Sequence, residues 1–133
     1  MPAIYILDTD ICSYAIRENP QSIRDNFWKH RKDDICISAV THAELIFGGI
    51  HKGSVKLQNQ IKTFVSRLRI IDFNTAAAEE YAQIRQFLET HGIVIGNMDM
   101  LIAASAKSCG AVLVSNNQKH FSRIPNLKIE NWR

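Results

Sequence analysis

Asp8, Glu44 and Asp99 are the residues whose types and surroundings point most directly to chemistry. Asp8 follows the apolar run from Ala3 to Leu7 without a break. At helical spacing Asp99 shares a face with Ile102, Ala103 and Ala106, and Glu44 lies four residues after Val40 and three before Phe47. Each carboxylate therefore belongs to a stretch whose neighbours are suited to burial. An unpartnered carboxylate in an apolar interior would neutralise or be replaced, whereas a divalent cation reverses that preference. Ligands drawn from carboxylates and water suit Mg²⁺, with Mn²⁺ as its substitute, better than zinc, which prefers imidazole and thiolate. The histidines at 30, 42, 51, 91 and 120 show no metal-ligand spacing, and Cys12, Cys36 and Cys109 contain no C-x-x-C pair. The expectation is one oxygen-ligated Mg²⁺ site, able to orient a water, lower its pKa and neutralise charge on a phosphate. Without the cation the clustered acids should titrate together, with at least one pKa raised.

The composition is compatible with such a site and excludes several other classes. At 133 residues the chain suits one domain with a real core, and 46% hydrophobic with 22% charged residues is ordinary globular usage. Sixteen Lys and Arg against thirteen Asp and Glu leave a net charge of +3, a mild bias toward a polyanionic partner. Three widely spaced cysteines imply free thiols rather than a disulfide framework. The opening residues lack the basic and apolar regions of a signal peptide, and no apolar run approaches the roughly twenty residues of a membrane span. The expected compartment is the cytoplasm.

Positioning distant acids requires particular elements. Residues 3–7, 35–37, 69–72 and 111–115 read as short strands, and 128–130 as an edge strand. Between them lie helical patterns from Ile11, over 21–31, over 40–50, after Ser54, after Asn74 or Thr75, and over 98–109, with Gly92 and Gly110 placed to stop two of them. Strands separated by helices predict an α/β fold: a mainly parallel central sheet of four to five strands between two helical layers. In such sheets the functional crevice lies beyond the carboxyl ends of the strands, which is where Asp8, Ser115 to Asn117 and, early in the helix after 35–37, Glu44 all fall.

Four ordered motifs carry a resemblance that runs essentially end to end: Tyr5-Ile6-Leu7-Asp8-Thr9-Asp10, Ser38-Ala39-Val40-Thr41-His42-Ala43-Glu44-Leu45, Gly96-Asn97-Met98-Asp99-Met100-Leu101-Ile102-Ala103-Ala104, and Leu113-Val114-Ser115-Asn116-Asn117 followed by Phe121. The sequence resembles the PIN-domain family, and within it the toxin subunits of bacterial VapBC toxin–antitoxin pairs. The resemblance implies one PIN domain over 1–133 with a three-layer α/β/α fold, metal-dependent cleavage of RNA, commonly tRNA, a VapB-type antitoxin as partner, and a homodimer. It assigns Asp8, Glu44 and Asp99 to the metal site, with Thr9, Asp10, Ser115 and Asn117 in support. The departure is Asn117, which stands where many members place an Asp and which brings a carbonyl oxygen but no charge. Asp10, often Asn in related toxins, either compensates for that loss or caps the helix beginning at Ile11, and capping is the preferred expectation.

Two other readings remain. Asp8-Thr9-Asp10 resembles the aspartyl-nucleophile signature of haloacid-dehalogenase phosphatases, although Cys12 stands where that family wants Thr or Val. A catalytically weak PIN-like binding module is the second. For RNA, Arg17, Lys52, Arg85, Lys107, Lys119 and Arg123 are candidate phosphate contacts. Trp28 and Trp132 are candidate stacking platforms, with core packing the more ordinary role. An antitoxin is expected in a groove formed by residues 11–31 and 40–62.

Overall fold

The computed structural model describes residues 2–133. Five short strands, β1 (Ile4–Leu7), β2 (Asp34–Ser38), β3 (Arg69–Ile71), β4 (Val112–Val114) and β5 (Lys128–Glu130), pair in the order β3-β2-β1-β4-β5, and every pairing is parallel. Side-chain alternation along the strands divides the core into two layers. Ile6, Cys36 and Leu113 face one layer, where they meet Ile84 and Leu88 of α5 (Thr75–Thr90), Ile102, Ala103 and Ala106 of α6 (Asn97–Ser108), and Phe121 of α7 (Gln118–Phe121). Tyr5, Leu7, Ile37 and Val114 face the other. Their neighbours there are Ile11 of α1 (Thr9–Arg17), Leu45 of α3 (Ala39–Lys52), Ile61 and Val65 of α4 (Val55–Ser66), Trp132, and Phe27 of α2 (Gln21–Lys29). The three-layer α/β/α architecture with a parallel sheet is as the sequence pattern predicts.

Helix starts follow local polar chemistry. Ser38, Ser54 and Asn74 accept hydrogen bonds from the N–H groups of Thr41, Leu57 and Ala77 at 3.0, 3.1 and 3.0 Å, each satisfying a donor that the first helical turn leaves free. Gly92 and Gly110, just beyond α5 and α6, take positive φ values of 65° and 63°, the left-handed conformation that ends those helices. Two expectations are corrected. The first helix begins at Thr9 rather than Ile11: the strand ends at Leu7 as expected, but Asp8 caps the helix directly by accepting the Ile11 N–H, so Thr9 and Asp10 are already helical rather than a separate acidic turn. The β4 strand is confined to Val112–Val114, since Ala111 still donates its N–H to Ala106 at 2.9 Å in closing off α6.

The chain order through the sheet has a direct consequence. From β1 in the centre it moves outward through β2 and β3, then returns to β4 on the opposite side of β1 and continues to β5. The carboxyl ends of β1 and β4 therefore border the point where the winding reverses, the usual location of a crevice in such sheets. Cys12, Cys36 and Cys109 are free thiols, the first two buried. No helix among the described residues is long and apolar enough to cross a membrane.

Leu113 lies at 0% exposure on the central strand adjoining β1. Leu113→Ala is expected to lower unfolding stability by about 2–5 kcal/mol in urea denaturation, as fully buried leucines do when truncated.

Candidate active site

The site grows from the end of β1. Asp8 continues the ladder by donating its N–H to the carbonyl of Val114 at 3.0 Å, then turns so that its Oδ1 accepts the N–H of Ile11 at 2.8 Å and caps α1. The side chain is 4% exposed. Burial pushes its pKa up to about 6 from 3.8; the Ser115 hydroxyl and the Ile11 N–H oppose that rise, and the charges of Asp10 and Asp99 reinforce it. Asp99, half-buried in the first turn of α6, is also raised, by burial first and then by the charges of Asp10 and Glu44, with His120 acting in the opposite sense. Four carboxylates thus act on one another although 91 residues separate the first from the last in sequence (99 − 8).

Glu44 is brought in from α3 by a hydroxyl relay. Thr9 Oγ1 lies 2.6 Å from Glu44 Oε1 and 3.1 Å from Thr41 Oγ1. The single Thr9 proton goes to the carboxylate, so the buried Thr41 hydroxyl donates to Thr9. Its surroundings differ from the expectation of a core-directed face. Phe47 is 65% exposed, and Glu44 sits at the boundary of the core because α3 turns that flank outward.

Across the crevice, Ser115 is fully buried and its Oγ accepts the N–H of Asn117 at 2.9 Å. Asn117 Nδ2 lies 2.9 Å from Nδ1 of His120. His120 was not singled out by sequence, yet its ring faces both Asn117 and the field of Asp99. The available signal was its position three after Asn117, on one turn of α7. Thr41, which no local sequence pattern distinguishes, is the buried end of the Thr9 relay. Asp10 is exposed and caps nothing, since Asp8 holds that position, but its charge reaches both Asp8 and Asp99.

The expected accessory residues separate clearly. Arg85 is engaged with Glu89 at 3.0 Å and Lys107 with Glu80 at 3.6 Å, both away from the crevice. Arg17 and Lys52 line a pocket beside Glu44, while Lys119 and Arg123 are exposed in and after α7. Trp132 is core: its ring stacks on His30 at 5.0 Å and packs against Tyr5 and Phe27. Trp28 is 69% exposed, with the Arg31 guanidinium 4.1 Å from its ring centroid.

Among the described residues, no three His, Cys, Asp or Glu side chains are grouped tightly enough to form a ready ligand set. The donor chemistry nevertheless fits a hard divalent cation. Asp8 is buried among like charges with no Lys or Arg paired to it, and the surrounding donors are oxygens.

Parallel strands, a buried acid at the switch point and further acids from two flanking helices define an α/β protein with an acidic crevice at the carboxyl edge of its sheet. The PIN domain profile matches residues 5–127. The chain is 48% identical over 132 residues to "Ribonuclease VapC2" of Rickettsia felis, across 97% of this chain and 98% of that protein. It is 38% identical over 130 residues to "tRNA(fMet)-specific endonuclease VapC" of Shigella flexneri, across 96% and 97% of the two chains. A crystal structure of VapBC2 from Rickettsia felis bound to a promoter DNA fragment superposes with a TM-score of 0.91 at 43% identity, covering 98% of this chain and 99% of that one. The chain belongs to the PIN-domain family, in its VapC group. Nucleases of this family are in general divalent-metal dependent. The aspartyl-nucleophile reading of Asp8-Thr9-Asp10 is set aside by this membership.

The buried acid makes stability depend on pH. Because the folded chain holds the Asp8 proton more tightly than the unfolded chain, ionisation favours unfolding. In chelator, stability should fall by about 3 kcal/mol as pH rises from 3.8 through about 6, and level off above. Asp8→Asn should flatten that window and raise the melting temperature at pH 7; a steeper slope in the variant would contradict the assignment.

Proposed function

We propose that the chain is the toxin of a VapBC-type pair, a Mg²⁺-dependent endoribonuclease, with Mn²⁺ as substitute, that cleaves RNA, in particular tRNA, and so blocks translation. The observation that carries the reading is the buried Asp8, with no Lys or Arg paired to it, at the β1–β4 switch point with Asp10, Asp99 and Glu44 around it. The relatives' names support it: one is called a ribonuclease and another a tRNA(fMet)-specific endonuclease. The unit is a single PIN domain over 1–133 working in the cytoplasm.

Asp8, Glu44 and Asp99 would hold the cation. A bound divalent cation supplies charge neutralisation at the phosphate and acidification of a water. The chain's own residues do the rest. Thr9 fixes the Glu44 carboxylate with its hydroxyl proton, and the Ile11 N–H fixes that of Asp8. Ser115 holds the loop that carries Asn117, whose carbonyl is the neutral fourth corner, while Asp10 restores part of the missing negative charge. Products with 5′-phosphate and 3′-hydroxyl ends follow from attack by water rather than by the RNA 2′-hydroxyl.

The partner reading is supported by a groove of about 1260 Å³ whose first wall falls within the expected residues 11–31 and whose second wall is α4–β3, residues 55–69, rather than 40–62, with apolar Ile16, Phe27, Phe64 and Val55 inside and Arg24 and Arg67 at its edge. It is the place for an amphipathic antitoxin segment, and solved relatives are toxin–antitoxin complexes. Ile46, Phe47 and Ile50, exposed together on α3, are the face offered for a homodimer.

Purified chain with tRNA and Mg²⁺ or Mn²⁺ should cleave, and EDTA, Asp8→Asn, Asp99→Asn or Glu44→Gln should each reduce the rate at least 100-fold. Asp10→Asn should weaken Mg²⁺ binding less than Asp8→Asn. Cleavage indifferent to EDTA, or none with either metal, would remove the proposal. For the partners, Val55→Glu should weaken antitoxin binding at least tenfold by calorimetry, and Phe47→Glu should convert dimer to monomer in analytical ultracentrifugation.

A further inference from the structure

A second, polar cleft opens beside the acid cluster. It lies between α1 and the residues after β5, has a volume of about 320 Å³, and is lined chiefly by Asp10, Tyr14, Arg17, Glu18, Asn116 and Arg133. Two of these residues tie it to the site. Asp10 is the acid whose charge reaches both Asp8 and Asp99, and Asn116 stands between Ser115 and Asn117.

The cleft is built rather than incidental. The Arg133 guanidinium lies 3.9 Å from the ring centroid of Tyr14. Its backbone N–H donates to Asn131 Oδ1 at 3.0 Å, and Asn131 Nδ2 donates to Asn116 Oδ1 at 3.1 Å, so the segment beneath Arg133 is fastened to the site loop. Trp132, clamped between Tyr5, Phe27 and His30, anchors that segment in the core. Arg17 enters from the last turn of α1 and also lines the pocket beside Glu44. Asp10 and Glu18 share the cleft, yet neither arginine takes part in an ion pair among the described residues.

Two guanidiniums with no ion-pair contact, beside an acidic centre, suit a polyanion that must approach carboxylates. A guanidinium stacked on one aromatic ring leaves its other face for a nucleobase, and a second guanidinium matches phosphodiester oxygens. The volume is at the lower end of the range for ligand pockets, about 300–1,000 Å³, enough for one nucleotide rather than a folded partner. We propose that this cleft holds the RNA nucleotide flanking the scissile phosphate, with Arg17 on its phosphate and Arg133 stacked on its base. The inference rests on the ribonuclease reading above.

Anisotropy binding of a short single-stranded RNA oligonucleotide to Asp8→Asn protein tests it without cleavage. Arg17→Gln and Arg133→Gln should each weaken binding about five- to tenfold, and Arg17→Gln should reduce the slope of log affinity on log salt by about 0.7. Arg17→Lys should recover most of the affinity, whereas Arg133→Lys should not, because an ammonium has no flat face to stack. Arg85→Gln, remote on α5, is the unchanged control. With Asp8 intact, the two glutamine variants should raise KM while kcat holds. Unaltered affinity and salt slope in both variants of a chain that cleaves RNA would overturn the cleft alone. Arginine-dependent binding by a chain that cleaves nothing would overturn the nuclease reading and leave the cleft. Absence of RNA binding at any salt concentration would overturn both.

Discussion

The carboxylate of Asp8 is the constraint on which the rest of the molecule depends. Its backbone N–H is the last rung between β1 and β4, and its side chain supplies the first capping bond of α1. Strand end, helix start and site therefore meet at one residue. Burial makes the arrangement costly, because an ionised carboxylate in the interior has lost its hydration and faces two like charges. A fold that retains such a group gives up stability at that point, a cost that a bound cation would offset.

The helical layers convert that single point into a cluster from opposite sides. On one side, the Thr41–Thr9–Glu44 hydroxyl relay ties α3 to the first residue of α1, so the carboxylate of α3 follows any movement of the strand end. On the other, α6 presents Asp99 from a first turn that follows Gly96, while the fully buried Ala103, Ala104 and Ala106 seat the helix against the sheet. The C-terminal segment closes the arrangement. Glu130 O accepts the N–H of Ser115 at 2.9 Å, and the aromatic clamp around Trp132 keeps β5 and the site loop together.

Charge is distributed with the same economy. Asp8, Asp10, Glu44 and Asp99 gather at the carboxyl ends of the sheet, while the groove between α1–α2 and α4 carries Arg24, Arg31, Lys56 and Arg67 together with Asp33 and Asp34. The modest net charge of +3 conceals the local excess of acid at that one point.

The amino-acid sequence by itself determined the α/β class, the parallel sheet and most element positions, because hydrophobic period and the caps at Ser54 and Asn74 act over a few residues. It also marked Asp8 and Asp99, since a carboxylate on an apolar helical face or strand end is locally anomalous. Only the tertiary structure decided that Asp8, not Asp10, caps α1, for that depends on the residue at which the pairing with β4 stops. It also decided that Phe47 faces outward, that His120 and Thr41 join the site, and that Arg17 rather than Arg85 lies beside it. Those outcomes rest on which helix packs on which face and on contacts between separate elements, which sequence periodicity within one element does not encode.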